Sequence, residues 1–218
     1  MPLLSEELYA YISRYSEEEP SLLQEIRREA HIHLVQPRML SGGFQGRLLK
    51  LLVAIAKPKN ILEIGSYSGY STLCLAEGLQ QAAAKGKVFA VEAVDELEDF
   101  LRSNFSKSPF GERIELIIGR AEEVVPSLLD KHTIDFVYID ANKRHYADYY
   151  QMIIEKLPSG ALIVADNTLW DGKVLSPLPP KDPQTQGILL FNELVAGDGR
   201  VEVIILPVRD GLSLIRKR

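Results

Sequence analysis

The chain has a single cysteine, Cys74, in 218 residues, so an intrachain disulfide framework is excluded. Its place inside a helical stretch reads as a packed, inert thiol. Histidine is scarce. His31 and His33 are two apart, which on a helix points them to different faces, and His132 and His145 have no partner pattern. No apolar run approaches the roughly 20 residues that cross a bilayer, so no membrane partner is expected. The start, Met1-Pro2-Leu3-Leu4-Ser5-Glu6-Glu7, lacks the basic segment and long apolar core of a secretory signal, and a cytoplasmic protein is expected. Positive charge is in deficit. The net charge of -5 argues against a broad electrostatic grip on nucleic acid, despite the basic tail Arg216-Lys217-Arg218. No linker, repeat or low-complexity segment marks a second domain. One domain is expected over residues 1–218, with 1–57 forming N-terminal helices and a cap and 58–218 a ligand-binding sheet.

What is present is periodicity. Leu3, Leu4, Leu8, Tyr11 and Ile12 recur at helical spacing, as do Leu22, Leu23, Ile26 and Ala30. Between them, Glu17-Glu18-Glu19-Pro20 reads as a solvated, dipole-favoured helix start. Pro37 to Gly46 reads as a loop, followed by a helix that ends near Pro58. From Asn60 strands and helices alternate. Strand-like runs at 61–65, 88–92, 114–118, 136–140 and 162–166 enclose helical stretches at 70–84, 95–105, 121–129 and 146–157, with a further helix at 188–196. Such alternation implies a parallel sheet covered on both faces. Val201 to Leu206 and Leu212 to Ile215 flank Pro207-Val208-Arg209-Asp210-Gly211, a hairpin signal, so an antiparallel edge is expected there.

The chemistry gathers at strand ends. Phe136-Val137-Tyr138-Ile139-Asp140 and Leu162-Ile163-Val164-Ala165-Asp166-Asn167 are short apolar runs that close on carboxylates. In an open parallel sheet, ligands bind outside the carboxyl ends of the strands, so Asp140, Asp166 and Asn167 should meet at one rim. An all-oxygen set suits Mg²⁺, Mn²⁺ or Ca²⁺ rather than Zn²⁺. The alternative is that each Asp only caps the next helix or turn. Glu63-Ile64-Gly65-Ser66-Tyr67-Ser68-Gly69-Tyr70-Ser71 follows the first strand. It has neither the Gly-x-Gly-x-x-Gly of dinucleotide sites nor a Gly-Lys-Ser/Thr phosphate loop. Glu92 closes the second strand, where an acid can hold both hydroxyls of a ribose. A nucleoside-like ligand without a pyrophosphate is implied, and S-adenosylmethionine fits.

Leu62 to Ser71, Asp140-Ala141-Asn142-Lys143 and Asp166-Asn167-Thr168-Leu169-Trp170 together resemble the cation-dependent O-methyltransferases, the group of catechol O-methyltransferase and caffeoyl-CoA O-methyltransferase. The resemblance runs from about Met39 to the C-terminus. It implies a Rossmann-like α/β fold, doubly wound and mostly parallel, with seven strands and a reversed last strand. Asp140, Asp166 and Asn167 then align with metal ligands and Lys143 with a general base. Glu92 aligns with the ribose ligand. Glu63, Gly65, Tyr67 and Ser71 fall in the cofactor loop, and Asp140 is counted among the cofactor contacts as well. Met39 and Ser41 fall where a segment closes over the cofactor's methionine, and Ala121 where some relatives carry Ser near the adenine. Trp170 and Lys143 are expected at the substrate. Close to a cation, Lys143 should have a lowered pKa. The acceptor implied is a small phenol with vicinal hydroxyls, catechol-like or hydroxycinnamoyl. Some bacterial relatives instead methylate a hydroxylated wobble uridine of tRNA, and a non-catalytic nucleotide-binding domain is the third reading. Loops 37–46 and 172–186 should choose the acceptor. The resemblance and the stripe Leu4, Leu8, Tyr11 and Ile12 imply a homodimer.

Overall fold

The computed structural model describes residues 5–82, 85–176 and 181–218. Helices α1 (Glu6–Arg14) and α2 (Ser21–His33) come first, then a 3-10 turn at Pro37–Met39 and α3 (Gly43–Ala56). The expected alternation follows: β1 (Ile61–Ile64), α4 (Tyr70–Gln81), β2 (Val88–Glu92), α5 (Glu98–Ser106), β3 (Ile114–Ile118) and α6 (Ala121–Lys131). It continues through β4 (Phe136–Ile139), α7 (Tyr146–Ile154), β5 (Leu162–Asp166), α8 (Pro183–Ala196), β6 (Val201–Leu206) and β7 (Leu212–Lys217). Leu3, Leu4, Ala83, Ala84 and residues 177–180 of the loop expected at 172–186 lie outside the described residues.

The sheet has seven strands in the order β3-β2-β1-β4-β5-β7-β6. β1 to β5 are mutually parallel, and β7 is antiparallel to both β5 and β6. Five residues between β6 and β7 are too few for a parallel crossover, so that pair must reverse. β7 inserts beside β5, which leaves β6 as the edge and the reversed strand one place in.

Period-two burial explains the layers. Leu62, Ile64, Phe89, Val91, Val137, Ile139, Ile163 and Ala165 face the α6–α7–α8 side. Ile61, Val88, Phe136, Tyr138 and Val164 face α3 and α4. Each central strand is thus buried on both faces, as in a doubly covered sheet, with Glu63 of β1 a charged residue buried among the apolar ones. Under the first layer Phe191 meets Tyr146 edge-on at 5.5 Å, a favoured aromatic geometry.

Three local readings are corrected. The loop at 37–46 ends early, because Gly42, at φ 79°, is the turn into α3 and the helix runs from Gly43. The last helix starts at Pro183, capped by Asp182, whose carboxylate accepts from the backbone N–H groups of Gln184 and Thr185 at 3.2 Å each. The Glu run is not a solvated helix start. Glu17 accepts from Lys50 Nζ at 2.6 Å, and Glu19 accepts from the Tyr70 hydroxyl at 2.5 Å and from Arg27. The cause lies on α3: Arg47 and Lys50 are buried on its inner face and require counter-charges. Arg47 takes Glu77 through two hydrogen bonds, of 3.1 and 2.8 Å, and Lys50 draws in Glu17.

Candidate active site

The carboxyl ends of β1, β2, β4 and β5 form one rim, with the change of winding direction between β1 and β4. Gly65, at φ 94°, leaves β1 there, and a Cβ at this position would overlap the Asp140 carbonyl oxygen. Only glycine allows the two strand ends to approach so closely. Tyr67 and Gly69 also adopt left-handed backbone, at φ 50° and 77°, which curls the loop over the sheet. Glu92 holds that curl. Its Oε2 accepts from the N–H of Ser66 at 3.1 Å and of Tyr67 at 2.8 Å, and its Oε1 from Val94 at 3.0 Å. Glu63 points to the α4 side and is fully buried. Its Oε2 accepts from Ser66 Oγ at 3.1 Å and from Thr72 Oγ1, while Oε1 has no partner in hydrogen-bonding geometry among the described residues. Ser71 lies in the buried first turn of α4. Ala121 opens α6, two residues after Gly119, whose N–H bonds the Glu92 carbonyl at 2.8 Å.

On the other side of the switch point, Asp140 Oδ1 accepts from Lys143 Nζ at 2.7 Å. Lys143 is buried, and its ammonium lies 5.3 Å from the Tyr146 ring and 5.9 Å from the Trp170 ring. Asp166 is buried, its Oδ2 accepting from Gln45 Nε2 at 2.6 Å and from the Tyr138 hydroxyl at 3.3 Å. Its Oδ1 takes the Asn167 N–H at 2.7 Å. Asn167 is left-handed at φ 58°, and its Nδ2 donates to Asp210 Oδ2 at 3.4 Å. Ser41 is buried, 3.4 Å from the Tyr138 hydroxyl. Met39 is half exposed. Its neighbours make the bonds: Gln36 N–H to the Tyr67 hydroxyl at 3.2 Å, and the Leu40 carbonyl to Arg209 at 3.0 Å.

Residues 13–218 match the family described as O-methyltransferase. The chain belongs to the O-methyltransferase family. Over 228 aligned residues this methyltransferase is 32% identical to caffeoyl-CoA O-methyltransferase 5 of Nicotiana tabacum, covering 99% of this chain and 92% of that protein. The SAH-bound methyltransferase PaMTH1 of Podospora anserina superposes with a TM-score of 0.86 at 29% identity, covering 99% and 97% of the two chains. An O-methyltransferase from Bacillus cereus in complex with SAH gives 0.84 at 30% identity, covering 97% of each. The fold is therefore the Rossmann-like methyltransferase fold that the resemblance implied.

The structure brings Asp140, Asp166, Asn167, Lys143 and Trp170 of this methyltransferase to one end of the rim. Glu63, Gly65, Tyr67, Ser71, Glu92 and Ala121 stand at the other. Met39 alone stays at the outer margin. Among the described residues no three of His, Cys, Asp or Glu gather as a metal cluster; the rim offers two carboxylates and an amide. That set still fits a hard cation. Burial and then the charge of Asp140 hold the Asp166 carboxyl above the usual carboxylate range, an electrostatic cost that added positive charge would relieve. Asp210 engages the donor end of the Asn167 amide, which leaves its carbonyl oxygen as the end available to a cation.

One expectation changes here. Burial lowers the Lys143 pKa, but Asp140, Tyr146 and Asp166 raise it by more, and the net direction is upward rather than down. The ammonium is the counter-ion of Asp140. Gln45, Tyr138 and Asp210 are further polar partners at the rim, and no sequence signal marks them as site residues. Cys74 is buried as expected, and burial pushes its thiol up to about 12.

Glu63 carries a pH signature. Burial pushes its carboxyl up to about 7, against the hydroxyls of Ser71, Thr72 and Ser66. An unfolded glutamate titrates near ~4.3. The folded state therefore keeps a proton that the unfolded chain has lost, and stability falls as pH rises through this window, levelling above about 7. Between about pH 5 and about pH 8 the loss should be about 2–3 kcal/mol. Glu63→Gln cannot ionise and should lack this slope. Urea unfolding of both cofactor-free proteins at the two pH values checks it, and parallel pH dependence would rule the assignment out.

Proposed function

We propose that this O-methyltransferase transfers the methyl group of S-adenosylmethionine to one of two adjacent hydroxyls on a small phenolic acceptor, catechol-like or hydroxycinnamoyl. The observation that carries the reading is the meeting of Asp140, Asp166, Asn167 and a buried Lys143 beside the glycine loop of β1. The similarity to plant caffeoyl-CoA O-methyltransferases supports the acceptor class. Residues 1–57 serve as the cap of a single catalytic domain.

Asp140, Asp166 and the Asn167 carbonyl would hold the cation, most suitably Mg²⁺, with Mn²⁺ or Ca²⁺ as alternatives. A divalent cation in such a site supplies charge that acidifies a neighbouring hydroxyl and fixes its orientation. The chain's own groups do the rest. Glu92 and the 65–71 loop hold the cofactor's ribose and methionine, with Met39 and Ser41 above and Ala121 beside the adenine. Trp170 forms a wall of the acceptor cleft, at the same end as Lys143. Lys143 takes the acceptor's proton after its ammonium has given one up to solvent, a loss made easier once the charge of Asp140 is engaged elsewhere, since with Asp140 bonded to it the ammonium stays protonated. Carboxyl-end placement in an open sheet supports this division of roles.

The test is incubation with labelled S-adenosylmethionine and Mg²⁺, separately with a catechol and hydroxycinnamoyl panel and with total bacterial tRNA. Label on the small phenols is the expected result; label on tRNA alone would replace the acceptor proposed here. Calorimetry checks the cofactor half. Glu92→Ala should weaken cofactor binding by about 10-fold or more, because it removes both the ribose partner and the clamp on the loop. Unchanged affinity would sink that role.

We propose a homodimer as well. Leu8 and Tyr11 of α1 are exposed, at 46% and 62%, and Ile12 is partly so, which leaves this part of the stripe uncovered among the described residues, while Leu4 lies outside them. Light scattering that returned a mass near 24.4 kDa at micromolar concentration would overturn this. No helix among the described residues is long and apolar enough to cross a membrane. A cytoplasmic site agrees with the lone thiol, and recovery of the protein in a secreted fraction would refute it.

A further inference from the structure

The turn between β6 and β7 touches both halves of the site. Asp210 lies in it and spans the rim loop after β5. Its Oδ2 accepts from Asn167 Nδ2 at 3.4 Å, its Oδ1 accepts from the Asp171 N–H, and its carbonyl accepts from the Leu169 N–H at 2.9 Å. The next carbonyl, of Gly211, accepts from the Thr168 N–H at 3.1 Å. The two loops are pressed together, since a Cβ on Gly211 would stand 2.7 Å from the Leu169 nitrogen. Arg209 reaches the opposite way. Its Nη1 donates to the Leu40 carbonyl at 3.0 Å, and a Cβ on Gly42 would meet that same nitrogen at 3.4 Å.

What the turn holds is strained. Asn167, Trp170 and Asp171 are left-handed at φ 58°, 47° and 51°, and Arg209 is so at 49°. Each such residue persists only where its surroundings over-determine it. Asp210 supplies that determination at the loop carrying Asn167 and Trp170. Among the described residues Asp210 is the partner that chooses which end of the Asn167 amide faces the carboxylate pair.

We propose that Asp210 and Arg209 are positioning residues. Asp210 sets the Asn167 amide with its oxygen toward the cation, and Arg209 pins the Leu40–Gly42 segment over the cofactor, so that one turn registers the metal half of the site against the cofactor half. This rests on the cation and cofactor roles given under Proposed function.

Asp210→Asn is the discriminating variant. It is nearly isosteric, but an amide accepts at one end only, so either Asn167 or Asp171 loses its acceptor. Arg209→Gly removes the guanidinium at a backbone conformation that glycine favours. Mn²⁺ binding is read by electron paramagnetic resonance with saturating S-adenosylhomocysteine, S-adenosylhomocysteine binding by calorimetry, and Tm by calorimetric melting. Asp210→Asn should weaken Mn²⁺ by about 10–100-fold, as loss of an outer-shell partner does, with cofactor affinity within about twofold. Arg209→Gly should weaken S-adenosylhomocysteine by about 10-fold and leave Mn²⁺ within about twofold, and Arg209→Lys, which can still donate to Leu40, should recover most of it. Constants that stay within about twofold in both variants would overturn the proposal, as would equal losses of both ligands in each variant. Wild-type protein that bound the cofactor but no Mn²⁺ would refute the cation reading and with it the Asp210 half, a result distinct from a variant that fails where wild type binds.

Discussion

Lys143→Ala should lower kcat by about 10²–10⁴, the range that a general base contributes, or about 3–5 kcal/mol. Lys143 is the one cationic side chain that the structure bonds to Asp140, at 2.7 Å among the described residues, and it is buried there. Its removal leaves Asp140 with a negative charge and no ammonium, so cation affinity should hold or tighten while turnover falls. Cofactor affinity should hold, because the groups at the β1–β2 end are untouched. Lys143→Arg should not restore the rate, since a guanidinium stays protonated. The measurement is single-turnover methyl transfer to the identified acceptor, with wild type and both variants across a pH series. An alanine variant within about twofold of wild type at neutral pH would assign the proton to another acceptor, such as solvent hydroxide.

Removal of divalent cations should stop the enzyme. Dialysis against EDTA should lower turnover by about 10³-fold, equivalent to the several kcal/mol of charge stabilisation that a bound cation supplies, and Mg²⁺ or Mn²⁺ should restore it. Asp140→Asn should raise the cation concentration needed for half-maximal rate, because one of two anionic donors is lost. It spares the buried donors around Asp166 but takes the counter-charge from Lys143, so cation affinity is read directly as well as through the rate. Asp166 also accepts from Gln45 and Tyr138, and its removal would strand two buried donors and lower Tm on that ground alone. Full turnover after thorough chelation would end the cation reading.

The sheet was legible because its signals are local. Each of β1 to β5 is a mostly apolar run of four or five residues, and alternation with helices dictates parallel pairing. The Asp210-Gly211 pair announced the β6–β7 reversal, though not that β7 would lie between β5 and β6. The start of α8 was legible in principle, since Asp182-Pro183 is a helix-start signal, but apolar periodicity begins only at Ile188 and hid it. Asp140, Asp166 and Glu92 were legible as site candidates for one reason: an acid that closes a buried strand of a parallel sheet has few other uses.

By itself the sequence determined the α/β architecture, the rim at which its acids collect and the hardness of the donor set, all of which follow from residue type and spacing within single elements. The tertiary structure decided which charges meet. Glu17 finds Lys50 across 33 residues, Gln45 finds Asp166 across 121, and Arg209 finds Leu40 across 169. The direction of the Lys143 pKa was decided there too, because burial and the pull of Asp140 oppose each other and only their separation in space says which is larger. Periodicity reports which face of an element is buried; Coulomb energy and hydrogen bonding depend on distances that packing alone sets.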